Sequence, residues 1–220
     1  MRYLFIGDSF TEGQNNSGKG YAHYMNEYID GEVLIDGISG TTVGSYSIYP
    51  VNRYSLLSRL DRIDYKVSLA DVIVLEFGIN DISAVTAGNA TYRQVLLAFI
   101  SAIDAIRQLN PKASLYILHL GGDDVIRAAS RFNACYMNRE YFSKYPVRVT
   151  ERKWARLYRR LVRDLCSFSL WPVRMFRNAE EYTQHMDVDR LHPNAAGYKI
   201  VARNVVPCIA STWCDAGRFI

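Results

Sequence analysis

Ser9 stands in the run Ile6-Gly7-Asp8-Ser9-Phe10, just past a short apolar stretch and inside a tight, glycine-containing turn. A serine beyond the carboxyl end of a buried strand lies where open parallel sheets bind ligands. With a base beside it, its hydroxyl could attack a carbonyl carbon. Taken alone, Asp8 or Ser9 could equally do no more than cap the next helix. Far along the chain comes Asp189-Arg190-Leu191-His192-Pro193-Asn194. A carboxylate three residues before an imidazole can hold Nδ1–H within one local turn and leave Nε2 to accept a proton. An Asp-x-x-His could also be a structural hydrogen bond or a helix start.

Between these two segments lie Asp36-Gly37-Ile38-Ser39-Gly40-Thr41-Thr42 and Gly78-Ile79-Asn80-Asp81. Glycine lets a backbone approach a ligand closely, so the N–H of Gly40 could point at an oxygen atom. Asn80 could add a side-chain amide N–H. Each segment alone could be a simple turn. Together, and in this order, the four segments supply what acyl transfer needs. Ser9 is the expected nucleophile, His192 the general base and then acid, and Asp189 its orienter. The N–H groups of Ser9 and Gly40, with the Asn80 amide, are the expected oxyanion hole.

On these residues the chain resembles the GDSL family of esterases and lipases, the SGNH hydrolases, whose four blocks fall on Gly7-Asp8-Ser9, Gly40, Gly78-x-Asn80-Asp81 and Asp189-x-x-His192. Phe10 stands where the family name has Leu, an apolar exchange that leaves the chemistry untouched. The resemblance implies a flavodoxin-like three-layer α/β/α sandwich with a five-stranded parallel sheet, and an acyl-enzyme route with neither metal nor cofactor. The implied activity is a serine esterase on a small-molecule or glycan ester, with a carbohydrate O-deacetylase (acetylesterase) as the leading case. A lysophospholipase or thioesterase acting on longer acyl chains is the alternative within the class. A catalytically silent glycan-binding module is the alternative outside it.

Elements able to position these residues can be read from the same chain. Apolar runs at 3–6, 33–35, 72–77, 115–120 and, interrupted by Pro172 and Arg174, 171–176 alternate with helical stretches. This is the pattern of an α/β domain with a parallel sheet. A helix is predicted from Thr91, where Thr91 and Gln94 have capping-box spacing, with Leu96, Phe99, Ile100, Ile103 and Ile106 on its apolar face. An amphipathic helix with a basic face is expected over 152–165, its cations solvated or turned to an anionic surface. No internal repeat or linker interrupts the chain, so a single domain over 1–220 is expected.

The segment 121–149 matches no familiar block and follows the fourth strand on the side of the expected site, where it would shape a substrate pocket. Asp123, Asp124, Arg127, Arg131, Tyr136 and Tyr141 are its candidate contacts, each equally able to serve only as loop surface. His23, His119 and His185 have no Asp three residues before them and are expected to be structural or exposed.

Composition bounds the rest. At 49% hydrophobic and 22% charged residues, disorder and fibrous repeats are not suggested. A net charge of +4 is too weak to argue for nucleic acid. The four cysteines, Cys135, Cys166, Cys208 and Cys214, include no CxxC pair, so neither a zinc site nor a redox motif is indicated. The opening residues run straight into the Gly-Asp turn without a signal-peptide core, and no uncharged apolar run approaches bilayer length. A cytoplasmic chain without an integral membrane segment is the expectation. The sequence does not specify the oligomeric state.

Overall fold

A computed structural model describes residues 1–46, 55–118, 184–189 and 192–210, apart from the side chains of Thr86, Cys208 and Ala210. Among these residues four strands, β1 (Arg2–Gly7), β2 (Glu32–Gly37), β3 (Val72–Glu76) and β4 (Ser114–Leu118), pair in parallel in the order β2-β1-β3-β4. That is the flavodoxin-like order. The fifth strand expected at 171–176 and the basic helix expected at 152–165 lie outside the described residues.

Side-chain alternation divides the sheet into two buried faces. Leu4 and Ile6, Ile73 and Leu75, and Leu115 and Ile117 join one core with α2 (Leu56–Leu69) and α4 (Tyr92–Leu109). Phe5, Val72, Val74, Tyr116 and Leu118 join the other, with a 3-10 helix (Tyr21–Glu27) and the C-terminal helix, labelled α5 below (Ala195–Ala210). A sheet covered on both faces needs near-continuous apolar strands, which is why these runs lack polar alternation. Each fully buried Leu, Ile or Phe contributes about 1.5–3 kcal/mol through burial.

Two short helices complete the frame, α1 (Ser9–Glu12) and α3 (Ile79–Thr86), each starting just past a strand end. The capping box of α4 is formed: Thr91 accepts from the Gln94 backbone N–H while Gln94 accepts from the Thr91 backbone N–H. The buried face of α4 is Tyr92, Val95, Leu96, Ala98, Phe99, Ala102 and Ile106. Ile100, expected on that face, is 37% exposed. Phe99 and Ile106 centre the stripe, and Ile100, about 100° round from Phe99, falls off its edge. Asn110 caps the helix and donates to Val67 O and Ala70 O, so the end of α4 is fastened to the end of α2 just before β4.

Among the described residues no helix is long and apolar enough to cross a membrane.

Candidate active site

Because β1 is followed in sequence by β2 on one side but lies against β3 on the other, the chain reverses direction across the sheet at β1 and β3. Crevices at such switch points, beyond the carboxyl ends of the strands, are where this architecture binds ligands. Gly7 and Glu76 are paired in register at those ends. Ser9 follows β1 and Asn80 follows β3, so two of the expected site residues stand on either side of the crevice.

Ser9 is the first residue of α1, with Asp8 as its N-cap accepting from the Phe10 N–H at 3.1 Å. The turn is close-packed against β3. A Cβ on Gly7 would lie 2.0 Å from Thr11 Oγ1 and 2.7 Å from Glu76 Oε2, so only glycine lets α1 start there. The capping role that Asp8 could have had instead of a chemical one coexists with Ser9 presenting its hydroxyl.

The Ser9 hydroxyl donates to His192 Nε2 at 2.8 Å, and His192 Nδ1–H donates to Asp189 Oδ2 at 2.7 Å. Asp189 Oδ1 also accepts the His192 backbone N–H at 2.9 Å, which closes the local turn that the spacing predicted. An antiparallel bridge between Met186 and Pro193 clamps this loop, with Asp187 N–H donating to His192 O and Asn194 N–H to His185 O. Phe10 lies against the His192 ring, centroids 5.4 Å apart. Ser9 and His192 are buried, at 5% and 4% exposure, so a proton moving between them is shielded from bulk water.

Asn80 donates both amide hydrogens, to Asp8 Oδ2 at 2.9 Å and to Thr41 O at 3.1 Å. Its side chain therefore ties the residue before Ser9 to the residue after Gly40. Gly40 adopts φ 73°, a left-handed conformation costly for residues with a Cβ. Its neighbour Ser39 is held through both backbone N–H and hydroxyl by Glu12 Oε2 at the end of α1. Asp81 fixes the next stretch of this loop, accepting from Val43 N–H at 3.0 Å and Tyr46 O–H at 2.6 Å. Burial pushes Asp81 up to about 6, against the hydrogen bonds that favour its charge.

Several residues of this site were not singled out by sequence. Asn15, on the loop after α1 at φ 64°, donates to Asp189 Oδ2 at 2.6 Å, the oxygen that also holds His192. Tyr198 on α5 donates to Gln14 O at 3.1 Å and lies 3.4 Å from Ser9 O. Arg59 is buried, paired with Asp36 at 3.1 Å, and donates to Gly7 O at 2.9 Å. Glu76 is wholly buried beside Asp8. Its one sequence signal was an acid inside the apolar run 72–77, where an unpaired charge would be costly.

His23 is exposed, and His185 is partly buried within the Met186 and Pro193 clamp. His119, Cys135, Cys166, Cys214 and the contacts expected from Asp123 to Tyr141 lie outside the described residues, as does the Cys208 side chain.

A search of curated protein sequences finds no match. Solved structures are similar at fold level. The psychrotrophic esterase EstA from Pseudoalteromonas sp. matches with a TM-score of 0.63 at 14% identity, covering 97% of this chain and 99% of that one. A carbohydrate acetylesterase family member from Sinorhizobium meliloti gives 0.63 at 15% identity, covering 96% and 97%. The inhibitor-bound aryl esterase of M. smegmatis gives 0.60 at 13% identity, covering 96% and 98%. The sequence model of the GDSL-like lipase/acylhydrolase family matches residues 5–200. That span contains all four sequence blocks and the crevice they surround, so the chain belongs to the GDSL-like lipase/acylhydrolase family and is a carboxylic ester hydrolase.

Proposed function

We propose that the chain cleaves a short acyl ester by a two-step acyl-enzyme route, with an O-acetylated carbohydrate as the leading substrate class. Ser9 Oγ attacks the ester carbonyl while His192 Nε2 takes its proton, and Asp189 steadies the imidazolium that results. The negative charge on the carbonyl oxygen is received by the N–H groups of Ser9 and Gly40 and by one N–H of Asn80. Collapse expels the alcohol, which leaves with the proton from His192. Water, deprotonated by His192, then releases the acid and restores Ser9.

The observation that carries this reading is the continuous hydrogen-bonded line from Ser9 Oγ through His192 to Asp189, at 2.8 and 2.7 Å. The likeness to a carbohydrate acetylesterase family member supports the acetyl and sugar preference at the level of fold.

The test is a panel of acyl esters from acetyl to long-chain, run beside O-acetylated sugars with Ser9→Ala as control. Acetyl-selective turnover that extends to the sugars supports the proposal. Long-chain preference would replace it with a lipase or thioesterase reading. Binding of the sugars without turnover by the wild-type protein would replace it with a glycan-binding one.

A further inference from the structure

Asp8 and Glu76 put two carboxyl groups in one wholly buried pocket directly beneath the nucleophile. Asp8 Oδ1 accepts the Phe10 N–H and lies 3.5 Å from Ser9 Oγ, while Oδ2 accepts the Asn80 amide at 2.9 Å. One side chain thus touches the start of α1, the attacking hydroxyl and the amide of the proposed oxyanion hole. Glu76 Oε2 accepts the Thr11 hydroxyl at 3.0 Å and the Asp8 N–H at 3.4 Å. Glu76 Oε1 is buried with no hydrogen-bond partner among the described residues.

Two carboxylates cannot both ionise at such a site, because each is desolvated and each repels the other. The partners say where the shared proton resides. Both oxygens of Asp8 receive an N–H, the surroundings of an anion. Glu76 has an oxygen that receives nothing, and its side chain is in hydrogen-bonding reach of the Asp8 carboxyl, so a protonated Glu76 can donate to Asp8. We propose that Glu76 is a positioning residue of the esterase site. It holds the single proton of the Asp8 and Glu76 pair, so that one negative charge, placed on Asp8, orients α1 and the Asn80 amide. The inference rests on the proposed acyl transfer at Ser9.

The surroundings agree with a one-proton pair. Burial raises Asp8 to about 7 and Glu76 well above the ordinary carboxylate range. Among the described residues, the charged and titratable groups facing the pair are Arg59 from α2, Asp81 from α3, Tyr21 from the 3-10 helix, Tyr198 from α5 and, across Ser9, His192. Among these described groups Arg59 is the permanent cation, and it is already paired with Asp36, so it does not neutralise a second carboxylate. Ionising Glu76 as well would place two negative charges under a serine whose reaction builds a third close by.

The test compares wild type, Glu76→Gln, Glu76→Leu and Ser9→Ala on p-nitrophenyl acetate across pH 5 to 9, with Tm for each. Glutamine keeps an N–H donor toward Asp8, so E76Q should retain kcat within about threefold and keep the acid limb of kcat. Leucine removes the donor. E76L should lose about tenfold or more in kcat with KM nearly unchanged, and its acid limb should move to higher pH as Asp8 becomes harder to ionise. A folded E76L with wild-type kcat and limb overturns the proposal, as does E76Q impaired as deeply as E76L.

An infrared difference spectrum between wild type and E76Q at pH 8 does not depend on E76L folding. Loss of a protonated-carboxyl band in E76Q is the expected result, and absence of any such band overturns the proposal. Wild-type turnover by Ser9→Ala would instead sink the Ser9 reading itself, whatever Glu76 does.

Discussion

The two halves of the site are assembled differently. On one side Ser9, His192 and Asp189 form a line whose every link is already at 2.7 to 2.9 Å and whose geometry suits proton transfer without rearrangement. On the other side Asn80 spends both amide hydrogens within the protein, on Asp8 and on Thr41. The proposed proton path is made in advance, whereas Asn80, on the proposed charge-stabilising side, is satisfied by its own neighbours and would have to release or share an N–H as an oxyanion forms. A donor bond strengthened only in the transition state raises kcat rather than tightening substrate binding.

The largest expected effect breaks the first half. Ser9→Ala and His192→Ala should each cost at least about a thousandfold in kcat/KM on a simple acyl ester while leaving Tm near wild type. The second half should respond in a different parameter. Asn80→Ala should lower kcat by about 100- to 1000-fold with little change in KM. An unchanged kcat with a raised KM would mean that Asn80 binds substrate uniformly and that the contrast between the halves is wrong.

Asp81 tests the frame of the oxyanion side through stability. Its carboxyl is raised in the folded state, from an ordinary 3.8 to about 6, mainly by burial. A raised carboxyl stabilises the fold most below about pH 4 and loses that contribution as pH rises through about 6. Asp81→Asn keeps an oxygen to accept from Val43 and Tyr46 and removes the titration. Its Tm relative to wild type should therefore climb between pH 4 and 6, by the equivalent of at most about 3 kcal/mol. Thermal unfolding at four pH values checks this, and a constant difference across them would contradict it.

The smallest effect sharpens the first half. Asn15 gives Asp189 Oδ2 a second donor at the protein surface, where such bonds are worth little. Asn15→Ala should reduce kcat/KM by about two- to fivefold, as steady-state kinetics will show. A loss approaching that of His192→Ala would mean that Asp189 is held mainly from outside its own loop.

What the sequence made legible follows the same division. The meeting of Ser9, Asp189 and His192 could be anticipated because the chemistry proposed for them depends on residue type, order and a three-residue spacing within one turn. The four described strands could be read because burial on both faces demands apolar runs, and the start of α4 because a capping box is local. Long-range pairings left no such trace. Asn15 meets Asp189 across 174 positions, and Glu76 reaches Thr11 across 65. Ile100 and Phe99 are adjacent apolar residues, and only the angle at which α4 meets the sheet decides that one is buried and the other exposed. Glu76 was visible as an acid in an apolar run, but what makes its burial tolerable is Asp8, Thr11 and a glycine at position 7.

Covalent trapping with a serine-directed reagent asks whether Ser9 is the nucleophile. Wild type and Ser9→Ala are incubated with a fluorophosphonate, and intact mass and peptide mapping follow. One phosphonyl group per wild-type chain is expected, carried on Ser9, with loss of esterase activity in step and no labelling of Ser9→Ala. Full labelling or full esterase activity in Ser9→Ala would contradict that role.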